Sequence, residues 1–168
     1  MPVRDDRLLF EMLSLEGAQA GLSWYTVLQK RERYRAVFAR FEPQKVARFS
    51  AAKLERLAND PGIIRNRLKI KSVVTNAKAF IDVQEEFGAF SHYIWGFVDH
   101  QPIVNAPRKA GDYAATSNVS DALSKDLKKR GFKFVGSTIM YAFMQATGMV
   151  NDHAARCYRQ QEITRSYR

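Results

Sequence analysis

The chain of 168 residues has very few cysteines: Cys157 is the only one, so an intramolecular disulfide bond is excluded. A lone cysteine is typical of proteins from a reducing compartment. No apolar run approaches the roughly 18 residues that a membrane-spanning helix needs. The first six residues also lack the apolar core of a signal peptide. These absences exclude a disulfide-stabilised secreted domain and an integral membrane protein, and they predict a cytoplasmic protein.

Acidic residues are also scarce relative to basic ones. The chain has 17 aspartates and glutamates against 27 lysines and arginines, a formal net charge of +10. This excess favours a polyanionic partner, and nucleic acid is favoured over a membrane because no basic amphipathic surface helix or acylation signal is present. A basic protein without such a partner is the alternative that charge alone leaves open.

Strand-like alternation is absent too, and the apolar residues recur at helical spacing. We predict an all-α fold with one globular helical domain over residues 1–158 and a flexible C-terminal tail over residues 159–168. Helices are predicted from a cap at Asp5 or Asp6 to Gly21, and over residues 23–41, 63–87, 121–130 and 137–147, with shorter ones beginning at Pro43, Ser50 and Ser91. The one long loop is predicted at residues 101–118, where prolines and small polar residues accumulate.

An acid stands inside an apolar, small-residue segment near the end of the first predicted helix. Burying an unpaired charge costs several kcal/mol, so Glu16 has either a hidden partner or a ligand. Trp24 follows a glycine turn eight positions later and offers an electron-rich face to a cation. Together these two side chains predict a site for a flat cationic ligand.

Residues 127–138 predict two helices joined by a tight hairpin that Gly131 and Gly136 bracket. The open amides and the positive dipole end of the second helix can bind a phosphate. Four basic side chains surround this site: Lys128, Lys129, Arg130 and Lys133. The pattern is typical of a helix-hairpin-helix motif, which binds a DNA strand regardless of sequence. An ordinary αα-hairpin with a solvated basic face is the alternative.

A third candidate lies near the C-terminus. His153 and Cys157 are four residues apart, so on a helix they would point the same way and could share a zinc ion. A structural zinc site needs four ligands, and spacing alone favours a buried thiol beside a surface imidazole. The neighbouring Asp152 could orient a water molecule or cap a helix.

These stretches occur in an order that resembles one family. Residues 8–38, 60–70, 97–102 and 120–153, with Cys157, are similar to 3-methyladenine DNA glycosylase I, a family of bacterial alkylation-repair enzymes in the helix-hairpin-helix superfamily. The resemblance extends over about residues 3–158. It implies a monofunctional N-glycosylase of base excision repair, which flips 3-methyladenine out of double-stranded DNA and releases it by hydrolysis.

The resemblance also implies roles for individual residues. Glu16 would hydrogen-bond the excised adenine and Trp24 would stack on it, with Gln19 also in the base pocket. Leu22, between Gly21 and Ser23, would fill the space of the extruded base. Further DNA contacts are implied at and beside the hairpin, at Lys128, Gly131, Lys133, Gly136, Ser137 and Thr138. His153 and Cys157 match two of the family's four zinc ligands.

One departure from the family pattern concerns the start of the chain. In the family a further segment precedes the position of Pro2 and supplies a cysteine and a histidine for zinc, and a tyrosine and a tryptophan for the base pocket. We therefore expect at most half of the zinc site here.

The expected protein is a monomer that acts on DNA containing alkylated adenine and does not bind membranes. The alternative function is a non-catalytic helix-hairpin-helix protein that binds damaged or abasic DNA. An RNA-binding or protein-interaction domain would explain the charge but not Glu16 and Trp24.

Overall fold

The computed structural model describes residues 2–165, which form ten α-helices and one short pair of parallel strands. In the strand pair, β1 (Ile103–Val104) lies beside β2 (Val150–Asn151), with Ile103 opposite Val150. The helices are α1 (Asp6–Gln19), α2 (Trp24–Gln29), α3 (Arg31–Val37), α4 (Pro43–Val46), α5 (Ala51–Ala58), α6 (Arg67–Phe87), α7 (Phe90–Gly96), α8 (Asn118–Lys129), α9 (Ser137–Thr147) and α10 (Tyr158–Arg165). The predicted all-α fold is confirmed. None of these helices combines the length and the apolar composition needed to cross a membrane.

Helix α1 runs through the centre of the molecule and packs against α6, α7 and α9. Its side chains Leu9, Phe10 and Leu13 are buried, and the ring of Phe10 meets that of Phe80 on α6 edge-on at 5.2 Å. Burial of each such side chain contributes about 1.5–3 kcal/mol. The C-terminal half of α1, which carries Glu16, is buried as well.

Most predicted helix ends are close to those observed, because capping residues determine them. The Asp5 carboxylate accepts the N–H of Leu8 at 2.8 Å and starts α1. Helix α9 ends at Gly148, whose φ of 75° is in the left-handed region that glycine favours.

Three predicted helix boundaries are wrong, and each has a local cause. The helix predicted over residues 23–41 is interrupted at Lys30, where α2 gives way to α3, and again by left-handed backbone at a 3₁₀ turn, Ala39–Phe41. Helix α6 begins at Arg67 because the Asn66 side chain accepts the N–H of Lys69. Helix α8 begins at Asn118 because Ser117, rather than Ser120, is its cap.

The C-terminal segment differs from the flexible tail predicted for residues 159–168. Helix α10 continues to Arg165, and Ile163 is buried. The last three residues of the predicted tail lie outside the described residues.

Candidate active site

Glu16 lies in the interior near the C-terminal end of α1, with only 4% of its surface exposed. Its Oε2 atom has no hydrogen-bond partner, and no ion pair found within residues 2–165 includes Glu16. Burial raises the pKa of this carboxyl group from 4.5 to about 7, because the charged form loses solvation without gaining a counter-charge. The hidden partner that the sequence left open is therefore absent among the described residues, and the acid is available to a ligand.

Glu16 opens onto a cleft of about 500 Å³, a volume in the usual range for small-molecule sites. Gln19 and Trp24 line the same cleft, and 37% of the Trp24 surface is exposed. The structure thus brings together the three residues that were predicted to bind the base. A flat ring entering the cleft meets an aromatic face and a carboxylate.

The sequence does not place the other residues that line the cleft beside Glu16, although it singles out Asp152 and His153 for other roles. They come from the long loop, from α9 and from the segment after it: Tyr113, Ala142, Gln145, Ala146, Val150, Asp152 and His153. These segments lie far along the chain from α1, and no local pattern in the sequence indicates that they meet it. Packing of α9 against α1 brings them there.

Asp152 belongs to this far side of the cleft and is held by three hydrogen bonds. Its carboxylate accepts from Asn105 Nδ2 at 2.6 Å and from Tyr141 Oη and Gln145 Nε2 at 2.7 Å each. The pKa of Tyr141 is raised to about 12, mainly by burial and also by its hydrogen bond to Asp152. The helix-cap interpretation of Asp152 is wrong, since α10 begins only at Tyr158. Its predicted role towards a water molecule stays a prediction.

Residues 21–23, which we call the wedge loop, join α1 to α2 at the surface. Gly21 has a φ of +74°, a conformation that glycine adopts without strain. The N–H of Leu22 donates to the Gln19 carbonyl at 2.6 Å, and 41% of the leucine surface is exposed. Ser23 accepts the N–H of Thr26 and so caps α2 as predicted. The loop therefore presents an apolar side chain on a fixed turn.

Residues 131–136, which we call the hairpin, join α8 to α9 and form the predicted tight connection. Gly131 has a φ of +93°, Phe132 and Val135 are buried, and Lys128, Lys133 and Thr138 are exposed. Gly136 precedes α9 without a side-chain cap, so no side chain accepts from the first amides of this helix. Such amides and the helix dipole together suit a phosphate group.

Two residues near the hairpin differ from their predicted roles. The Ser137 hydroxyl donates to Asp121 and shares a hydrogen bond with Ser120, so only its main-chain N–H stays a candidate DNA contact. Arg130 is paired with Glu86 at 2.6 Å and with Asp126 at 2.7 Å, and it lies over the rings of Phe87 and Tyr93. Arg130 therefore stabilises the fold and does not supply free positive charge beside the hairpin.

The predicted zinc ligands lie close together, but not for the predicted reason. His153 and Cys157 are in irregular structure between β2 and α10 rather than on a helix, and Cys157 Sγ lies 3.8 Å from His153 Nδ1. Within residues 2–165 no group of three or more histidine, cysteine or acidic side chains is arranged to hold a metal. Since structural zinc takes four ligands, this pair alone does not fit such a site.

Comparison with known proteins shows which family this chain resembles in sequence. A family model described as methyladenine glycosylase matches residues 1–160. DNA-3-methyladenine glycosylase 1 of Escherichia coli (strain K12) is 52% identical over 157 residues, which cover 94% of this chain and 84% of the relative. DNA-3-methyladenine glycosylase of Haemophilus influenzae (strain ATCC 51907 / DSM 11121 / KW20 / Rd) is 47% identical over 156 residues, which cover 93% and 84%.

Solved structures give the same result in three dimensions. A crystal structure of 3-methyladenine DNA glycosylase I has a TM-score of 0.90 and 50% identity, with 94% of this chain and 87% of that chain covered. A structure of the Staphylococcus aureus enzyme, which concerns its recognition of 3-methyladenine, has a TM-score of 0.92 and 36% identity, with 95% and 85% covered.

Proposed function

The chain belongs to the methyladenine glycosylase family, and we propose on that basis that it is a DNA glycosylase that releases 3-methyladenine from alkylated double-stranded DNA. The observation that carries this proposal is the unpartnered carboxylate of Glu16 beside Trp24 in an open cleft. A buried acid without a counter-ion is destabilising, and a cationic base supplies the missing charge.

Recognition of the base follows from the chemistry of these two side chains. An adenine alkylated at N3 and attached to deoxyribose is positively charged, so the π face of Trp24 attracts it by about 1–2 kcal/mol once water is excluded. Glu16 accepts a hydrogen bond from the exocyclic amine of adenine. Guanine has a carbonyl oxygen at the corresponding position and cannot donate. The ionised form of Glu16 is favoured when the cation enters, because an opposite charge nearby lowers a carboxyl pKa.

Release of the base needs little further chemical assistance, because the positive charge already weakens the glycosidic bond. Finding, flipping and holding the base are then the main tasks. No step in this proposal uses a Schiff base, and the exposed Lys133 on the hairpin serves the phosphates instead. We assign Asp152, the acid on the far side of the cleft, to orienting the attacking water.

DNA binding is assigned to the wedge loop and the hairpin. Leu22 fills the space that the flipped base leaves, as apolar side chains do in other proteins that unstack a duplex. The amides at the start of α9, with Lys128 and Lys133, bind the phosphates of one strand. Zinc binding is a separate proposal: His153 and Cys157 would supply two of four ligands, and metal analysis of the purified protein tests whether a zinc ion is bound.

The experiment that tests this function is an excision assay on a duplex with N3-alkylated adenine, in which chromatography measures the free base. Release of 3-methyladenine in amounts that increase with protein concentration supports a glycosylase. Binding of the same duplex without release would instead support the non-catalytic damage-binding alternative.

The hairpin assignment makes a separate prediction about salt dependence. Replacing both Lys128 and Lys133 with alanine should weaken binding to all duplex sequences alike and reduce the slope of log affinity against log salt by about 2, since each phosphate contact contributes about 0.9. Filter binding or fluorescence anisotropy at several salt concentrations measures the slope. The matched control replaces Lys45 and Lys53, on α4 and α5, which removes the same charge. A loss restricted to certain sequences would contradict phosphate binding.

A further inference from the structure

Helix α6 sends a buried lysine to the end of α1, where the wedge loop begins. Lys69 is 8% exposed, and its Nζ donates to the carbonyls of Ala18 at 2.9 Å and of Ala20 at 2.5 Å. Carbonyls at a helix C-terminus lack partners within the helix, and a cation is favoured beside them. Burial lowers the pKa of Lys69, in agreement with an ammonium group that has lost much of its solvation. Lys69 therefore fixes the main chain on both sides of Gln19, directly before the wedge loop.

The same helix holds the hairpin through a buried asparagine. Asn76 Nδ2 donates to the carbonyl of Lys133 at 3.0 Å, and Asn76 Oδ1 accepts the N–H of Lys133 at 2.8 Å. The asparagine thus satisfies both polar groups of one residue in the centre of the hairpin, much as a neighbouring strand would. It holds the main chain while the Lys133 side chain remains exposed.

Lys69 and Asn76 are seven residues apart, so they lie on one face of α6 about two turns from each other, roughly 10 Å along the axis. The hairpin also packs directly against α1 at Gly17, four residues before the wedge loop. A methyl group placed on Gly17 would lie 3.2 Å from Cβ of Phe134 in the hairpin, closer than such contacts normally allow. The end of α1 that leads into the wedge loop and the hairpin are therefore each hydrogen-bonded to α6, and the hairpin packs against α1 as well.

We propose that Lys69 and Asn76 are positioning residues, which fix the wedge loop and the hairpin at the separation needed to flip a base from a strand held by its phosphates. This inference rests on the proposed glycosylase function. Neither side chain needs to touch DNA, since each acts through the main chain of a loop that does. Substitution of the two residues is expected to have different effects. Loss of Lys69 impairs flipping of the base after the duplex is bound, and loss of Asn76 impairs binding of the duplex itself.

The test compares Lys69→Met and Asn76→Ala with two matched controls on the same helix. Lys78→Met removes an exposed lysine, and Gln84→Ala removes an amide that bonds Asp6 at the opposite end of α1 from the wedge loop. For each variant, anisotropy measures affinity for undamaged duplex, rapid quench measures the single-turnover rate of base release, and thermal unfolding measures stability.

We expect Lys69→Met to bind duplex within about twofold of the unmodified protein but to release the base about tenfold more slowly or worse, since small misplacements have effects of this size. Asn76→Ala is expected to bind duplex about fivefold more weakly, yet to approach the normal release rate once duplex is saturating, because its loss lies in phosphate binding. Lys69→Arg retains the cationic donor and should recover much of the rate. If the first two variants do not fold, Lys69→Gln and Asn76→Asp, which keep part of the hydrogen bonding, should show the same split in weaker form.

A purely structural role would give a different result. If duplex affinity and release rate fall together in both variants, in proportion to a loss of stability that Gln84→Ala reproduces, the proposal is wrong. The same holds if both variants behave like Lys78→Met. Failure of the unmodified protein to release any base would instead refute the proposed function, and the duplex-affinity measurements would still test Asn76.

Discussion

Replacing Glu16 with glutamine is expected to slow the release of 3-methyladenine from an alkylated duplex by about 100-fold, the usual effect of removing one well-placed electrostatic group. Glutamine has almost the same shape but carries no charge, so it cannot balance the cationic base. Single-turnover release measured by chromatography checks the rate. Affinity for an abasic duplex, which has no base in the cleft, should change by less than about twofold, since a phosphate-based contact is untouched.

Helix α1 offers a matched control for this experiment. Glu11 is also a buried glutamate, but its Oε1 is paired with Arg31 at 2.6 Å and with Arg35 at 2.9 Å. Glu11→Gln removes the acidic partner of Arg31 and leaves Arg35 with Glu32 alone, so we expect lower stability and an unchanged release rate in the folded protein. Equal release by Glu16→Gln and the unmodified protein would remove Glu16 from the base site.

The same carboxylate is expected to make the protein less stable as the pH rises. Glu16 titrates near 7 in the folded protein and near 4.5 when unfolded, so between these values the folded state binds more protons. The free energy of unfolding therefore decreases with pH across this window, and the change amounts to about 3 kcal/mol when one pKa unit corresponds to about 1.4 kcal/mol. Below pH 4.5 both states are protonated and this contribution to stability is fully present; above 7 it is lost.

Denaturant unfolding of the protein and of Glu16→Gln from pH 4 to pH 8.5 measures this effect. The variant lacks the titrating group, so it should become the more stable of the two as the pH rises, by up to about 3 kcal/mol at the upper end. Other titrating groups are common to both proteins and cancel in the difference. A difference that does not depend on pH would show that Glu16 is not buried and unpaired as described.

The predictions for base release and for stability both follow from the unpaired carboxylate of Glu16. The carboxylate lowers stability in the free protein at neutral pH, and the same absence of a partner lets it bind a cation. Sites of this kind are expected to gain stability and lose activity when the functional group is neutralised.

The sequence predicted those parts of the site that depend on neighbouring residues in the chain. Glu16 and Trp24 are eight residues apart, on α1 and at the start of α2, and the two glycines of the hairpin are five residues apart. Local sequence patterns were therefore enough to predict these parts of the site. Tyr113 and Gln145 could not be predicted, because only the packing of distant segments brings them to the cleft. Helical periodicity alone would place Leu68 with the buried apolar residues of α6, yet 70% of its surface is exposed, because it lies in the first turn, beside the Asn66 cap.

Lys69 and Asn76 illustrate the same limit. In the sequence they are ordinary polar residues of a long helix, and a solvated position is the usual place for a lysine. Their hydrogen bonds to Ala20 and Lys133 span about fifty residues or more along the chain. No periodicity or motif encodes contacts of this kind, and they appear only once α6 is packed against α1 and the hairpin.

The most direct test of the base site is a fluorescence titration with free 3-methyladenine, because the two tryptophans differ so clearly. Trp24 lines the cleft, whereas Trp95 is fully buried in the core. Stacking of the base should quench the emission of the unmodified protein saturably, and Trp24→Phe should abolish the quenching. Glu16→Gln should shift the midpoint to about tenfold higher concentration, the effect of losing one hydrogen bond to a charged group. Quenching that persists in Trp24→Phe, or a midpoint that Glu16→Gln leaves unchanged, would contradict a base site formed by Glu16 and Trp24.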